Sequence, residues 1–249
     1  MISRKSREEL KLMRHAGSIV ALVHQEMKKV ICEGISTLEL DEIAHRIIRE
    51  NKAIPTFLGY HGYPASICTS VNEQVVHGIP SKDVILHSGD IISIDVGATF
   101  RGLVGDGAWT YPVGEISDDK KMLLETTEKA LMAGVARMMN GNLLEEVSAA
   151  IEDVALSKNL GIVRQYGGHG VGHSMHEDPF VFNYRTGNKT ILKTGMTIAI
   201  EPMLNLGKDD VYVLDDDWTV VTADEKASAH FEHTVLVGED GPEILTKLS

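Results

Sequence analysis

The sequence predicts an α+β fold: two duplicated helix-helix-strand halves related by a pseudo-twofold, their antiparallel sheet covered by helices on its outer face. Three observations predict it. First, Ile85-Leu86-His87-Ser88-Gly89-Asp90-Ile91-Ile92-Ser93-Ile94-Asp95 is answered by Ile191-Leu192-Lys193-Thr194-Gly195-Met196-Thr197-Ile198-Ala199-Ile200-Glu201 at a constant offset of 106, which carries position 95 to 201. Self-similarity at a fixed spacing marks a repeated structural unit. Second, a pair of capped helical patterns precedes each copy. Third, residues 91–111 read as two apolar strands about a turn at Thr99-Phe100-Arg101-Gly102, an antiparallel hairpin. At 249 residues and 43% hydrophobic, the chain can bury a large core as one domain over 1–249, with repeat halves of about 1–112 and 113–249.

The elements follow in order. Ser6 with Glu9 forms a capping box ahead of Leu10, Met13, Gly17, Val20, Val23 and Met27, a helical stripe that closes before Gly34. Ser36 with Glu39 opens a second helix through Leu40, Ile43, Ala44 and Ile47 to about Asn51. Both helices read as amphipathic cover for a sheet. From Ala53 to Pro80 a glycine and aromatic loop, Phe57 to Pro64, precedes a short strand from Ser66 to Val71, and loops of this composition carry sites. After the hairpin, Ser117-Asp118-Asp119 starts a third helix that Gly141 stops, and Asn142 caps a fourth through Val147, Ile151 and Val154. In the last third, Asp215-Asp216-Asp217 reads as a solvated turn into a strand, and Glu232 stands in the final strongly apolar strand.

Composition excludes several classes. A net charge of −12 argues against a nucleic-acid surface. Two cysteines, Cys32 and Cys68, give no disulfide framework and fit a reducing interior. The start is too charged for a signal peptide and no long apolar run appears, so a soluble cytoplasmic protein with no membrane partner is expected.

The chemistry concentrates in acids placed among apolar residues. Asp95 and Asp106 sit one in each arm of the hairpin, with β-branched neighbours and no Lys or Arg within the first strand. An unpaired ionised carboxylate there is costly, so a remote basic group or a metal ion has to balance the pair. Glu201 occupies the position equivalent to Asp95 in the second copy. The glycine-rich run 167–179 lacks the ending and flanks of a phosphate-binding loop. Its three histidines, His169, His173 and His176, look instead like imidazoles presented to a metal or substrate. His77, in an apolar context before Gly78 and Pro80, reads equally as a core or a site residue. Asp95, Asp106, Glu201 and Glu232 with a neutral His169 make an oxygen-rich set of charge −4, which two divalent cations cancel. Two such ions roughly 3.5–4 Å apart sharing a water suit hydrolysis at an acyl carbon.

The D-x10-D hairpin, GHGVGHSMH, IAIEPM and FEHT, in this order and spacing, resemble the type I methionine aminopeptidases of the pita-bread fold over nearly all of the chain. The resemblance implies that Asp95, Asp106, His169, Glu201 and Glu232 bind two metals and that His77 and His176 contact substrate. Glu201 is then the general base, His176 steadies the oxyanion and His77 bonds near the scissile amide nitrogen. Tyr60, Tyr63, Cys68 and Trp218 match the methionine pocket. Phe57 departs from a position where a small thiol is common, and Met175 from one where phenylalanine is frequent. The implied activity is removal of the initiator methionine from nascent chains whose second residue is small, by a metal-bridging water, with Co, Mn, Fe or Zn as the ions. Transient ribosome contact and a monomeric state are expected. The alternatives are a proline-directed pita-bread peptidase, whose members usually carry a further N-terminal domain, and a non-catalytic binding protein of the same fold.

Overall fold

In the computed structural model, which describes residues 2–247, each copy of the repeat begins with a helix pair. α1 (Arg7–Val30) starts at Ser6, whose Oγ accepts the Glu9 N–H at 3.3 Å while the Glu9 carboxylate accepts the Ser6 N–H at 2.6 Å. α2 (Thr37–Glu50) starts the same way at Ser36 and Glu39. These reciprocal bonds occupy N–H groups that a first helical turn leaves without partners. α3 (Asp118–Val135) is capped by Ser117 as expected, but it ends well before Gly141. The chain tightens there, with Arg137 and Met138 N–H groups bonding three residues back to Gly134 and Val135, which closes the α-helical ladder. α4 (Leu144–Leu156) is entered through Leu143 rather than capped by Asn142. The Glu146 carboxylate takes the Leu143 N–H at 3.0 Å, while the Asn142 amide turns back to the Arg137 carbonyl at 3.1 Å.

The duplication is written in hydrogen bonds. Gly34 N–H to Leu86 O (2.8 Å), Leu86 N–H to Ile35 O (2.9 Å) and Thr37 N–H to Val84 O (3.0 Å) tie the first helix pair to the segment before its strand. Gly141 to Leu192 (2.9 Å), Leu192 to Asn142 (2.9 Å) and Leu144 to Thr190 (2.8 Å) repeat the pattern.

The strands, all antiparallel, form four small sheets among the described residues. β1 (Ile54–Pro55), β4 (Ile91–Phe100) and β2 (Ile67–Val71) lie in that order, with β5 (Leu103–Pro112) paired to β4. β8 (Glu177–Val181), β7 (Gly168–Gly170), β9 (Thr197–Ile200), β14 (His233–Val237) and β15 (Pro242–Ile244) form the sheet of the second copy. Two three-stranded pieces complete the set: β6 (Gly161–Ile162), β10 (Met203–Asn205) and β13 (Ser228–His230), then β3 (Gln74–Val76), β12 (Val220–Thr222) and β11 (Val211–Val213). The β4–β5 loop is only Arg101-Gly102, because Phe100 pairs with Leu103. Both loop residues have positive φ, 49° and 82°, the backbone twist that matches two right-twisted strands. The turn is thus two residues long, shorter than the four-residue turn the sequence suggests.

α1 and α2 cover β4 with a core that includes Val20, Met27, Leu40, Ile92 and Ile94. α3 and α4 cover the second copy with a core that includes Leu123, Leu131, Ile151, Ile198 and Val235. The copies are joined at β5. Thr110 Oγ1 donates to His230 O (2.8 Å) and accepts its N–H (2.9 Å). Glu232 N–H reaches Ala108 O at 2.8 Å, and Thr234 Oγ1 exchanges bonds with the Asp106 backbone at 2.8 and 3.1 Å. No helix among the described residues is long and apolar enough to cross a membrane.

Candidate active site

The register of the hairpin sets the first two acids. Asp95 pairs with Ala108 and Asp106 with Gly97, so the aspartates are diagonal neighbours on one face of the β4–β5 ladder. The inter-copy bonds at 230–234 bring Glu232 alongside, and Glu201 follows directly on β9. A cavity of about 320 Å³ opens here. Its wall includes every site residue that the family resemblance implies: Asp95, Asp106, His169, Glu201 and Glu232, the histidines His77 and His176, and Phe57, Tyr60, Tyr63, Cys68, Met175 and Trp218. A more open cleft of about 500 Å³, lined by Gln165, Tyr166 and Phe180 among others, adjoins it past His77 and His176.

The acid cluster has the electrostatics of a cation cradle. Burial, then the neighbouring Asp106, raise the Asp95 pKa well above the ordinary range; burial and Glu201 do the same to Asp106, burial to Glu201, and burial with the other three acids to Glu232. Asp95 Oδ1, Asp106 Oδ1 and Glu232 Oε1 are buried with no hydrogen-bond partner. Groups left so have lost their water without compensation, unless a ligand supplies it. The basic side-chain nitrogens within 4 Å of the Asp106, Glu201 and Glu232 carboxylates among the described residues belong to the imidazoles of His169 and His230, not to lysine or arginine. His169 Nδ1 is 2.9 Å from Gly170 O, and a carbonyl can only accept, so the proton sits on Nδ1 and Nε2 offers a lone pair to the acids. Burial lowers its pKa to about 4, which keeps it neutral. Asp106, His169 and Glu232, and likewise Glu201, His230 and Glu232, offer ligand atoms all within 4.8 Å of one another. Hard carboxylate oxygens with neutral imidazole fit divalent cations.

His77 has a positive φ of 62°, a conformation non-glycine residues adopt rarely. Its ring lies edge-on to Tyr166 (5.6 Å) and Trp218 (6.3 Å), and burial lowers its pKa to about 4. His176 is held by the Tyr60 hydroxyl, 2.8 Å from Nδ1, with its ring 4.3 Å from His169. The Tyr63 hydroxyl is 2.9 Å from Gly78 O, and Trp218 meets the Tyr63 ring edge-on at 5.0 Å. Cys68 is buried with its thiol pKa pushed well up, so it serves as apolar wall rather than nucleophile. Phe57 fills the space that Gly97 leaves, since a Cβ at Gly97 would come within 2.6 Å of its ring.

One sequence expectation changes, one gains a contact, and one residue outside the sequence reading joins the site. His173 does not join its neighbours: its side chain is 59% exposed and its Nε2 meets Glu9 at 2.7 Å. In the triple-aspartate turn, Asp216 is more than a solvated residue, because its Oδ1 takes the N–H groups of Trp218 and Thr219 at 2.9 and 2.8 Å and so sets the indole against the cavity. His230 was not singled out, yet it reaches the acid cluster. It stands two residues before Glu232, and the period of an extended chain puts both on one face.

The pattern of metallopeptidase family M24 matches residues 11–239. The chain is 53% identical to methionine aminopeptidase 1 of Bacillus subtilis over 249 residues, covering all of both chains. It superimposes on a crystal structure of methionine aminopeptidase from Thermotoga maritima with a TM-score of 0.98 at 43% identity, again covering all of both. A prolidase from Pyrococcus furiosus, at TM-score 0.79 and 23% identity, shares the fold alone, and the match covers 66% of that longer chain.

Proposed function

The chain belongs to metallopeptidase family M24, among its type I methionine aminopeptidases, and from that premise we propose how its residues divide the work. It is a metal-dependent hydrolase of the pita-bread fold that removes the initiator methionine from polypeptide chains. Asp95, Asp106, His169, Glu201 and Glu232 hold two divalent cations, a count supported by four negative carboxylates, whose charge two such ions cancel, and by two ligand groupings that share Glu232. Mn, Fe, Co and Zn all suit carboxylate with imidazole. Bound there, such ions supply Lewis acidity, lowering the pKa of a water and polarising the scissile carbonyl.

The protein's own groups do the rest. Glu201 takes the proton of the attacking water and passes it towards the leaving amine, the work of a general base and then acid. With the Tyr60 hydroxyl donating to His176 Nδ1, the imidazole proton sits on Nε2 and can be given to the developing oxyanion. His77, held between Tyr166 and Trp218, presents its ring to the scissile amide nitrogen. The methionine side chain enters the slot of Phe57, Tyr60, Tyr63, Cys68, Met175 and Trp218, whose rings and sulfurs suit a thioether. Substrates are nascent chains with a small second residue, met by a monomeric cytoplasmic enzyme in transient contact with the ribosome.

The carrying observation is the cluster of buried, partnerless carboxylate oxygens in the wall of a cavity lined also by aromatic and sulfur side chains. Peptides of Met-Gly-Met and Met-Ala type, tested beside Xaa-Pro peptides with enzyme reconstituted in turn with Mn, Fe, Co and Zn, examine it. Release of methionine from the first set only is expected. Preferential cleavage of Xaa-Pro peptides, or no cleavage with any metal, would overturn it.

A further inference from the structure

His230 lies outside the five ligands that the family resemblance implies, yet it is built like a sixth. It closes β13, is 1% exposed, and its Nε2 has no hydrogen-bond partner. That nitrogen lies 3.4 Å from Glu201 Oε2 and 3.9 Å from Glu232 Oε2. Charge-assisted bonds between an imidazolium and a carboxylate close to roughly 2.7–2.9 Å, so neither separation is one. Both resemble the spacing of donors around a common ion. Two donors about 2.1 Å from one tetrahedral centre stand about 3.4 Å apart.

His169 provides an internal reference. Its Nε2 is 3.5 Å from Glu201 Oε1 and 3.6 Å from Asp106 Oδ2, the same range that His230 shows. The two imidazoles therefore address the two oxygens of one carboxylate. Glu232 belongs to both groupings, with Asp106 and His169 in one and with Glu201 and His230 in the other. The position of His230 is fixed from behind. Its N–H and C=O are both bonded to Thr110 Oγ1, at 2.9 and 2.8 Å, and that hydroxyl meets Ser93 Oγ at 2.8 Å.

We propose that His230 is a sixth protein ligand of the metal centre, its Nε2 ligating one ion with Glu201 and Glu232 while His169 ligates the other. The assignment rests on the two-ion reading of the site. It gives each ion one imidazole and tilts the second position towards the ions that favour nitrogen, Zn, Co and Fe, over Mn.

The test uses Co(II)-loaded enzyme. Proton NMR of the wild type is expected to show two strongly hyperfine-shifted, solvent-exchangeable imidazole N–H signals, and His230→Gln and His230→Ala only one. Calorimetric titration should show the affinity for one of the two ions falling by at least about ten-fold in the variants, the other unchanged. Circular dichroism establishes that each variant is folded, and the wild-type signal count needs no variant at all. A single shifted signal in the wild type overturns the proposal. So do two signals that persist in a folded variant, or an affinity loss without loss of a signal, which would mark His230 as an outer hydrogen-bonding group. Uptake of fewer than two ions by the wild type overturns the two-ion reading itself, a failure seen before any variant is made.

Discussion

Glu201 sits where β9 ends, with one imidazole 3.5 Å from Oε1 and another 3.4 Å from Oε2. In the general-base role proposed for it, Glu201 carries a step that side chains of this kind accelerate by about 10²–10⁴. Glu201→Gln keeps the shape and one acceptor oxygen but cannot take the proton. It is expected to lower kcat on a Met-Ala peptide by at least about 100-fold. Near-wild-type turnover in a folded, fully metal-loaded variant would assign the proton to another group. The neighbouring acids make a second prediction. Burial and mutual repulsion hold their folded pKa values above the unfolded values near 4. Such groups stabilise the metal-free fold below that range and lose this contribution as pH rises through their folded pKa, where cations bind the ionised form. Stabilisation by added Mn(II) should therefore grow from pH 5 to pH 8, read as a widening gap in Tm between loaded and metal-free protein. A constant gap would mean that carboxylate ionisation is not coupled to metal binding. Individual acids were legible in the sequence because a carboxylate among Ile and Val has no inexpensive explanation. His230 was not, because a neutral imidazole in an apolar strand has one: only its distances to Glu201 and Glu232 separate a ligand from a packed histidine.

At the scale of elements, caps and strands were legible where the signal is local. Ser6 with Glu9 and Ser36 with Glu39 are complete within four residues, and both helices begin there. What escaped depends on remote partners. The segment before α1 looks like a charged tail, yet Lys5 is 2% exposed at its side chain and its Nζ lies 2.8 Å from Glu177 Oε2, with Ser3 bonded to both. The other Glu177 oxygen takes the N–H groups of His173 and Ser174 at 2.8 and 3.2 Å. The tail thus grips the loop that presents His176, and Gly172 leaves room for it: a Cβ there would come within 2.0 Å of Lys5 Cε, so the lysine end would have to shift. Removing one partner of a buried ion pair leaves the other charge uncompensated and costs about 3 kcal/mol. Lys5→Met is expected to lower stability by about that amount in urea unfolding, with an unchanged m-value. Lys5→Arg, which keeps the charge, should recover part of it. A loss below about 0.5 kcal/mol in Lys5→Met would show that the pair is solvated like a surface contact.

For the whole molecule, the repeat explains why neither copy suffices. The hairpin of the first supplies Asp95 and Asp106; the second supplies His169, Glu201, His230 and Glu232, and the bonds through Ala108, Thr110 and Thr234 register one against the other. Like charges brought together by that registration push the copies apart unless cations lie between them. Metal binding should therefore stabilise the interface between copies, not one sheet alone. A ligand at about 100 times its Kd contributes about 2.7 kcal/mol. For a chain of this length that corresponds to a rise in Tm on the order of 5–10 °C over metal-free protein. Hydrogen exchange locates the effect. On chelation, amides of β4 and β5 and those of residues 197–205 and 230–237 should lose protection together, while α2 and α4, on the outer faces, keep theirs. Loss confined to one copy would mean that the ions sit within that copy alone, and that the acids contributed by the other are held by protons rather than by metal.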